Sequence, residues 1–364
     1  MPESTQVPTP YTGPQAWLGP DMVNRPDEWL HHWTPDEIAE IEMAADSVAH
    51  QVILDITADD FPLPMIKAVL AGIKSDILHG RGFAMLRGLP VDQWSMDKTA
   101  RVYWGLGVHI GLPVSQNSKG HALGHVKNVQ RDLEKATSRG YERTDRLPFH
   151  TDTADIVGLF CRKPAKSGGD SLIVSSTSIY NEVARRRPDL AAVLLQPLQR
   201  SFLSENPDEK NRLVDVPLFM PEDGRMIGHY VRGHIYKAQA LPGVRLFTDE
   251  QKEALALVDS IADDPAFFLD MQFQLGDIQF LCNHTILHSR RAFKDFEDFD
   301  ERRHLLRLWL ACKDGPVLPH WMVDAYDSGH ANGRQDGYYR PTIPLKVPLD
   351  AEKNKMSKQI LKSI

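Results

Sequence analysis

Cysteine is scarce: three in 364 residues, Cys161, Cys282 and Cys312, with no C-x-x-C spacing. That excludes a disulfide scaffold and fits a reducing compartment. Positive charge is also short. Forty-two Lys and Arg against 49 Asp and Glu leave a net charge of −7, so no overall basic field recruits nucleic acid or an anionic membrane. No apolar run approaches the roughly 20 residues that a membrane-spanning helix requires. The opening MPESTQVPTPYTGPQAW has neither the cationic nor the apolar region of a secretory signal. The expectation is a cytoplasmic protein without nucleic-acid or membrane partners. A homo-oligomer is compatible with the sequence.

What is present reads as globular. Residues 1–33 are rich in Pro and Gly but carry Trp17, Trp29 and Trp33, and are expected to form an arm docked on a body. The body is expected as a single domain over 34–340, followed by a Lys-rich peripheral tail, 341–364. Thr34-Pro35-Asp36-Glu37 has the N-cap, first-turn proline and third-position glutamate of a capping box. T-D-E-Q at 248–251 is a second such box. Helices are predicted after both, and over 64–79, 97–111 and 178–195. Strands are predicted at 82–90, 155–161, 172–176, within 224–235 and 271–283, and at 303–312. The polar stretch 112–146 reads as a loop. Short strands with few flanking helices give a β core with helices packed outside, an α+β chain.

Chemistry enters at LPFHTDTADIVG, residues 147–158. On a strand, His150 and Asp152 point to one face. Alone, the pair is equally well a carboxylate orienting a buried histidine. Far downstream, in GDIQFLCNHTILHSRRAF, His288 follows another apolar run. Two histidines and one carboxylate on one side of a metal leave its other positions open, the arrangement of non-haem Fe(II) oxygenases. Arg303 and Arg307 then lie four apart at the start of an apolar strand. A guanidinium aimed into a core needs an anion, and its planar fork suits a carboxylate.

With FHTD (149–152), SGGDS (167–171), GD before NHTILHSR (276–290) and RRHLLRLWL (302–310), the chain resembles the taurine/2,4-D dioxygenase-like family of Fe(II)- and 2-oxoglutarate-dependent oxygenases. The resemblance implies a double-stranded β-helix (jelly-roll) core with flanking helices, clavaminate synthase-like. It implies Fe(II) as cofactor, 2-oxoglutarate and O2 as co-substrates, and hydroxylation of a small organic molecule with release of succinate and CO2. His150, Asp152 and His288 match the family's metal triad. Arg307 matches the arginine that binds the far carboxylate of 2-oxoglutarate, and Arg303 the arginine preceding it. Ser171 stands where the family has a hydroxyl on 2-oxoglutarate. Asp152 is retained where related halogenases have Ala or Gly, which favours hydroxylation.

Two intervals depart from the pattern. Asp152 to Ser171 is shorter than in the taurine enzyme, so Ser176 or Ser178 is an alternative to Ser171. His288 to Arg307 is longer, with acidic KDFEDFDE (294–301) between them, so Arg302 or Arg303 is an alternative to Arg307. No histidine stands at Gly111-Leu112, near the position through which the taurine enzyme binds sulfonate, so taurine is not carried over as substrate. Gln116, Asn117, Tyr230 and Arg232 are the substrate-contact candidates, each equally well a packing or surface residue.

Other readings compete for the same residues. His284 and His288 form H-x-x-x-H, a zinc-hydrolase spacing when helical. The segment lacks the intervening glutamate, and on a strand the two rings would start about 13 Å apart. SGGDS lacks the lysine of a phosphate loop. A metal-free jelly-roll that binds a ligand without catalysis is the remaining alternative, and loss of a triad residue would have been its sign.

Overall fold

The computed structural model describes residues 10–129, 144–201, 213–325, 337 and 343–351. Two facing sheets carry the site. In chain order their strands are β1 (Leu30–His32), β2 (Phe83–Arg87), β3 (Leu112–Pro113), β4 (Leu123–Lys127), β5 (Leu147–His150), β6 (Ile156–Lys163), β7 (Ser171–Ser175), β8 (Leu269–Met271), β9 (Ile278–Cys282), β10 (Ile286–Arg290) and β11 (His304–Ala311). The larger sheet runs β1-β2-β9-β6-β11-β3, with β4 also paired to β11; the smaller runs β8-β7-β10-β5. Apart from the parallel β1–β2 pair, the pairings are antiparallel. The sheets pack face to face as a jelly-roll.

Alternation along the strands sorts side chains between two faces. Inward residues Phe83, Met85, Val157, Cys161, Leu281, Leu305 and Trp309 of the larger sheet meet Ile173, Leu269, Met271 and Ile286 of the smaller. The larger sheet's outward residues, among them Ala84, Phe160, Phe280, Leu306 and Leu308, pack under helices α1 (Pro35–Ser47), α2 (Lys67–His79) and α3 (Met96–Ile110). Leu172, Val174 and Leu287 of the smaller sheet pack under α4 (Ser176–Arg186), α5 (Pro188–Leu194) and, after the short helix α6 (Arg232–Ala238), α7 (Asp249–Ala262). A strand buried on both faces reads as a continuous apolar run, which is why LLRLWLA carries so little alternation.

Both capping boxes form, at Thr34–Glu37 and Thr248–Gln251. Trp17 of the arm inserts into the inter-sheet core, its indole donating to the Arg81 carbonyl at 2.8 Å. Three local expectations are corrected. The stretch 112–146 is not wholly loop: β3 and β4 lie in it and pair with β11, while 130–143 are outside the described residues. The helix expected over 178–195 is two helices, because Pro188 forces Arg187 to an extended backbone (φ −145°, ψ 77°). The strand expected through residue 235 ends at Gly228, where pairing with Phe219–Glu222 runs out, and α6 follows. Residues 343–351 of the tail pack back on the body through Ala122 N to Lys346 O (2.8 Å) and Lys346 N to Gly120 O (2.7 Å).

Candidate metal centre

His150 ends β5 and sits directly opposite His288 of β10 in the sheet register. Their rings lie 4.3 Å apart between centroids. Asp152 follows on the turn after β5, its Oδ2 3.9 Å from His288 Nε2. One donor atom from each of the three falls within 4.8 Å of the others, the one such His/Cys/Asp/Glu group found among the described residues. A β-bulge interrupts the β10–β5 pairing just beyond, between His288 and Arg290, a device that re-aims side chains beside a site.

The backbone of this turn is held from two sides. Thr151 N donates to the Tyr230 carbonyl at 3.0 Å. Asp152 N donates to Asn283 Oδ1 at 2.9 Å, while Asn283 Nδ2 holds the Ala154 carbonyl. His150 Nδ1 donates to the Pro148 carbonyl at 2.9 Å, which leaves Nε2 as a lone-pair donor. Burial pushes the His288 imidazole down to about 3, reinforced by His150 and Arg307 and opposed by Asp152. It is therefore neutral at pH 7, as a metal ligand must be. Burial would raise the Asp152 carboxyl, but Arg307, both histidines and the Trp309 indole together hold it below the ordinary range. One anionic oxygen ligand and two neutral imidazoles fit a divalent iron.

Around this cluster the remaining candidates separate. Arg307 lies beside it: Nη1 is 3.6 Å from Asp152 Oδ2, Nε donates to Gln116 Oε1 at 2.7 Å, and the guanidinium stacks on Trp309. Arg303, one strand turn away, is buried at 5 % exposure. Its Nη2 reaches the Gly169 carbonyl at 3.3 Å, and it forms no salt bridge among the described residues. Arg290 shares the Phe293 ring with it, at 4.7 Å against 5.4 Å for Arg303. Burial lowers both arginines, Arg290 to about 9, with Arg303's charge adding to the effect on Arg290. Ser171 faces the interior opposite Arg290 and donates to Gln279 Oε1 at 3.0 Å. Ser178 Oγ instead donates to the Trp17 carbonyl, and Arg302 to the carbonyls of Phe296, Glu297 and Asn128.

The four substrate-contact candidates all carry structural bonds. Gln116 Nε2 donates to the carbonyls of Ala122 and Arg307. Asn117 Oδ1 closes its own turn by accepting from Lys119 N and His121 N. Tyr230 Oη and Arg232 Nε both donate to Asp259, at 2.8 and 3.0 Å. His284, the other half of H-x-x-x-H, pairs with buried Asp155 at 2.7 Å and takes no part in the cluster. Sequence reasoning missed Asn283, Trp309, Arg290 and Gln279. Two carried a usable signal: Trp309 and Arg290 stand two residues from Arg307 and His288 and so share their faces.

The chain matches the profile of the family described as taurine catabolism dioxygenase TauD, TfdA family over residues 49–309. It is 29% identical to the FR-33289 synthase of Streptomyces rubellomurinus, across 85% of this chain and 93% of that protein. It is 30% identical to a taurine hydroxylase-like protein of Stachybotrys chartarum, across 80% of this chain and 77% of that one. The fold is similar to that of asparagine oxygenase, solved with Fe(II), 3-hydroxyasparagine and succinate: TM-score 0.60 at 16% identity, covering 80% of this chain and 99% of that one.

Proposed function

Because the chain belongs to the taurine catabolism dioxygenase TauD, TfdA family and is an Fe(II)- and 2-oxoglutarate-dependent oxygenase, we propose that His150, Asp152 and His288 hold its iron and that the enzyme hydroxylates a small organic anion. The observation that carries the reading is the convergence of three donor atoms of the right chemistry within 4.8 Å, from a strand end, a turn and the neighbouring strand of the same sheet. Iron bound there would activate O2, the oxidant, with 2-oxoglutarate as the reducing co-substrate: one oxygen atom goes into succinate as CO2 is lost, and the other into the substrate C–H bond.

The chain's own residues do the rest. Sequence position favours Arg307 for the far carboxylate of 2-oxoglutarate; the contacts favour Arg303. Arg303 is buried beside Arg290 and against Phe293, and a desolvated guanidinium that forms no salt bridge among the described residues suits a carboxylate. Arg307 is within reach of the Asp152 carboxylate itself, which suits it to an acidic group on the substrate. Ser171 and Gln279 offer polar atoms between the sheets, and Ile173, Leu305 and Trp309 exclude water. The name of the taurine hydroxylase-like relative refers to a small sulfonic acid, and the asparagine oxygenase was solved with a hydroxylated amino acid; both support an acidic small molecule. Gln116, Asn117, Tyr230 and Arg232 act as supports of the residues they bond.

No helix among the described residues is long and apolar enough to cross a membrane. Three buried, unpaired cysteines support a cytoplasmic location, and the net charge of −7 speaks against nucleic-acid partners. One domain spanning the two sheets and their helices, with arm and tail as appendages, is the organisation we favour.

Anaerobic addition of Fe(II) and 2-oxoglutarate to the purified chain tests the site. A weak visible metal-to-ligand charge-transfer band should develop, and His288→Ala should abolish it. A folded, iron-treated protein without the band would exclude these three residues as the iron site.

A further inference from the structure

The Asp152 carboxylate accepts a single hydrogen bond among the described residues, and it comes from an indole. Trp309 Nε1 donates to Oδ2 at 2.8 Å. The ring is 4% exposed, gripped in the core between the two sheets. Its own strand fixes the backbone beneath it: Trp309 pairs with Val157 of β6, and its carbonyl accepts from Val114 N at 2.9 Å. Asp152 sits on a turn, beyond the end of an edge strand, where a free carboxylate would rotate among several orientations.

We propose that Trp309 is a positioning residue for the iron: its N–H fixes the plane of the Asp152 carboxylate so that the triad is assembled before metal arrives. This rests on the assignment of Asp152 as an iron ligand. The residue type is informative. Lysine or arginine in that place would add a second positive charge beside the metal, and histidine, serine or a carboxylate could ligate the metal itself. Indole is a donor only, carries no charge and cannot coordinate. Its remaining surface also suits an apolar core. Arg307, stacked on the ring at 4.9 Å, does not make this bond: its Nη1 lies 3.6 Å from Oδ2.

The partner of a metal-ligating group contributes about 10- to 100-fold to metal affinity. The test is anaerobic titration of the full chain with Fe(II), in the parent, in Trp309→Phe, and in a variant with Trp309 replaced by 3-benzothienylalanine. That last replacement keeps the two fused rings and exchanges only N–H for sulfur. Both variants are expected to bind Fe(II) about 10- to 100-fold more weakly, with the metal-free benzothienyl protein melting at the parental temperature. Parental affinity in the benzothienyl variant would overturn the proposal, since packing alone would then account for Trp309. A parent that binds no Fe(II) would instead remove the site assignment on which the proposal rests. Should the benzothienyl variant not fold, the Phe variant decides by the same criterion.

Discussion

Gln116 illustrates how much one buried amide can organise. Its oxygen accepts from Arg307 Nε while its nitrogen holds two carbonyls, one of them Arg307's own. The arginine beside the triad is thus fixed at both side chain and backbone. Arg303's backbone N–H donates to Asp295 Oδ1 at 2.7 Å, but its guanidinium is held more lightly, by one long contact to Gly169 and the face of Phe293. The two should therefore respond differently to truncation. Arg303→Met is expected to weaken 2-oxoglutarate binding by at least about 100-fold, since a charge-assisted pair is worth roughly 3 kcal/mol or more when desolvated. Arg307→Met should change it by less than about 10-fold and act mainly on the substrate. Titrating 2-oxoglutarate into the anaerobic Fe(II) complexes checks this, and the reverse order of effects would return the far carboxylate to Arg307.

At the level of elements, the glycines of two sequence motifs, and Asp277 beside one of them, act as supports. In Gly276-Asp277 the glycine adopts φ +82°, with the Leu89 carbonyl where a side chain would stand. The aspartate pairs with Arg87 at 2.7 Å and accepts from Gln274 N, closing the turn into β9. In SGGDS, Gly169 at φ +81° turns its carbonyl to Arg303, and an added Cβ would lie 3.1 Å from Arg303 Nε. Gly169→Ala should cost about 1–2 kcal/mol of stability from the left-handed backbone. It should also weaken 2-oxoglutarate binding by displacing the guanidinium, whereas a loss of stability with unchanged binding would separate the turn from the arginine. Urea unfolding and the same anaerobic titration read the two effects.

The strands β6, β7, β9 and β11, both capping boxes and the three residues of the donor cluster were legible because each is written locally, in apolar runs, fixed spacings and helix-start chemistry. β3 and β4 were not, since they are short edge partners of β11 whose pairing is a long-range fact. Asn283 and Gln279 were equally silent: a buried amide looks like any other until the chain brings its partner from more than a hundred residues away.

For the molecule as a whole, several histidines are buried uncharged. His229 is driven well below its usual range by burial, with Arg200, His284 and His234 adding to it. His304 is driven down in the same way by burial and by His125, Lys127, Arg162 and Lys163. Its Nε2 lies 2.8 Å from His125 Nδ1. Unfolded, these side chains take up protons near pH 6.5; folded, they do not. Their contribution to stability is therefore complete above about pH 6.5 and is lost as pH falls, at up to about 1.4 kcal/mol per pH unit for each. Urea midpoints measured from pH 7.5 to 5 should drop accordingly, and His304→Gln should make the decline shallower. A flat profile would mean that these imidazoles protonate without unfolding.

The in-register pairing of His150 with His288 has a mechanical side. Among the described residues β5 is an edge strand whose one sheet partner is β10, and just past His288 that pairing is broken by the bulge. Iron held by both histidines and by Asp152 would rivet the margin of the smaller sheet to its interior, joining the front half of the chain to the back. Metal loading then becomes a cross-link as well as the arming of a catalyst.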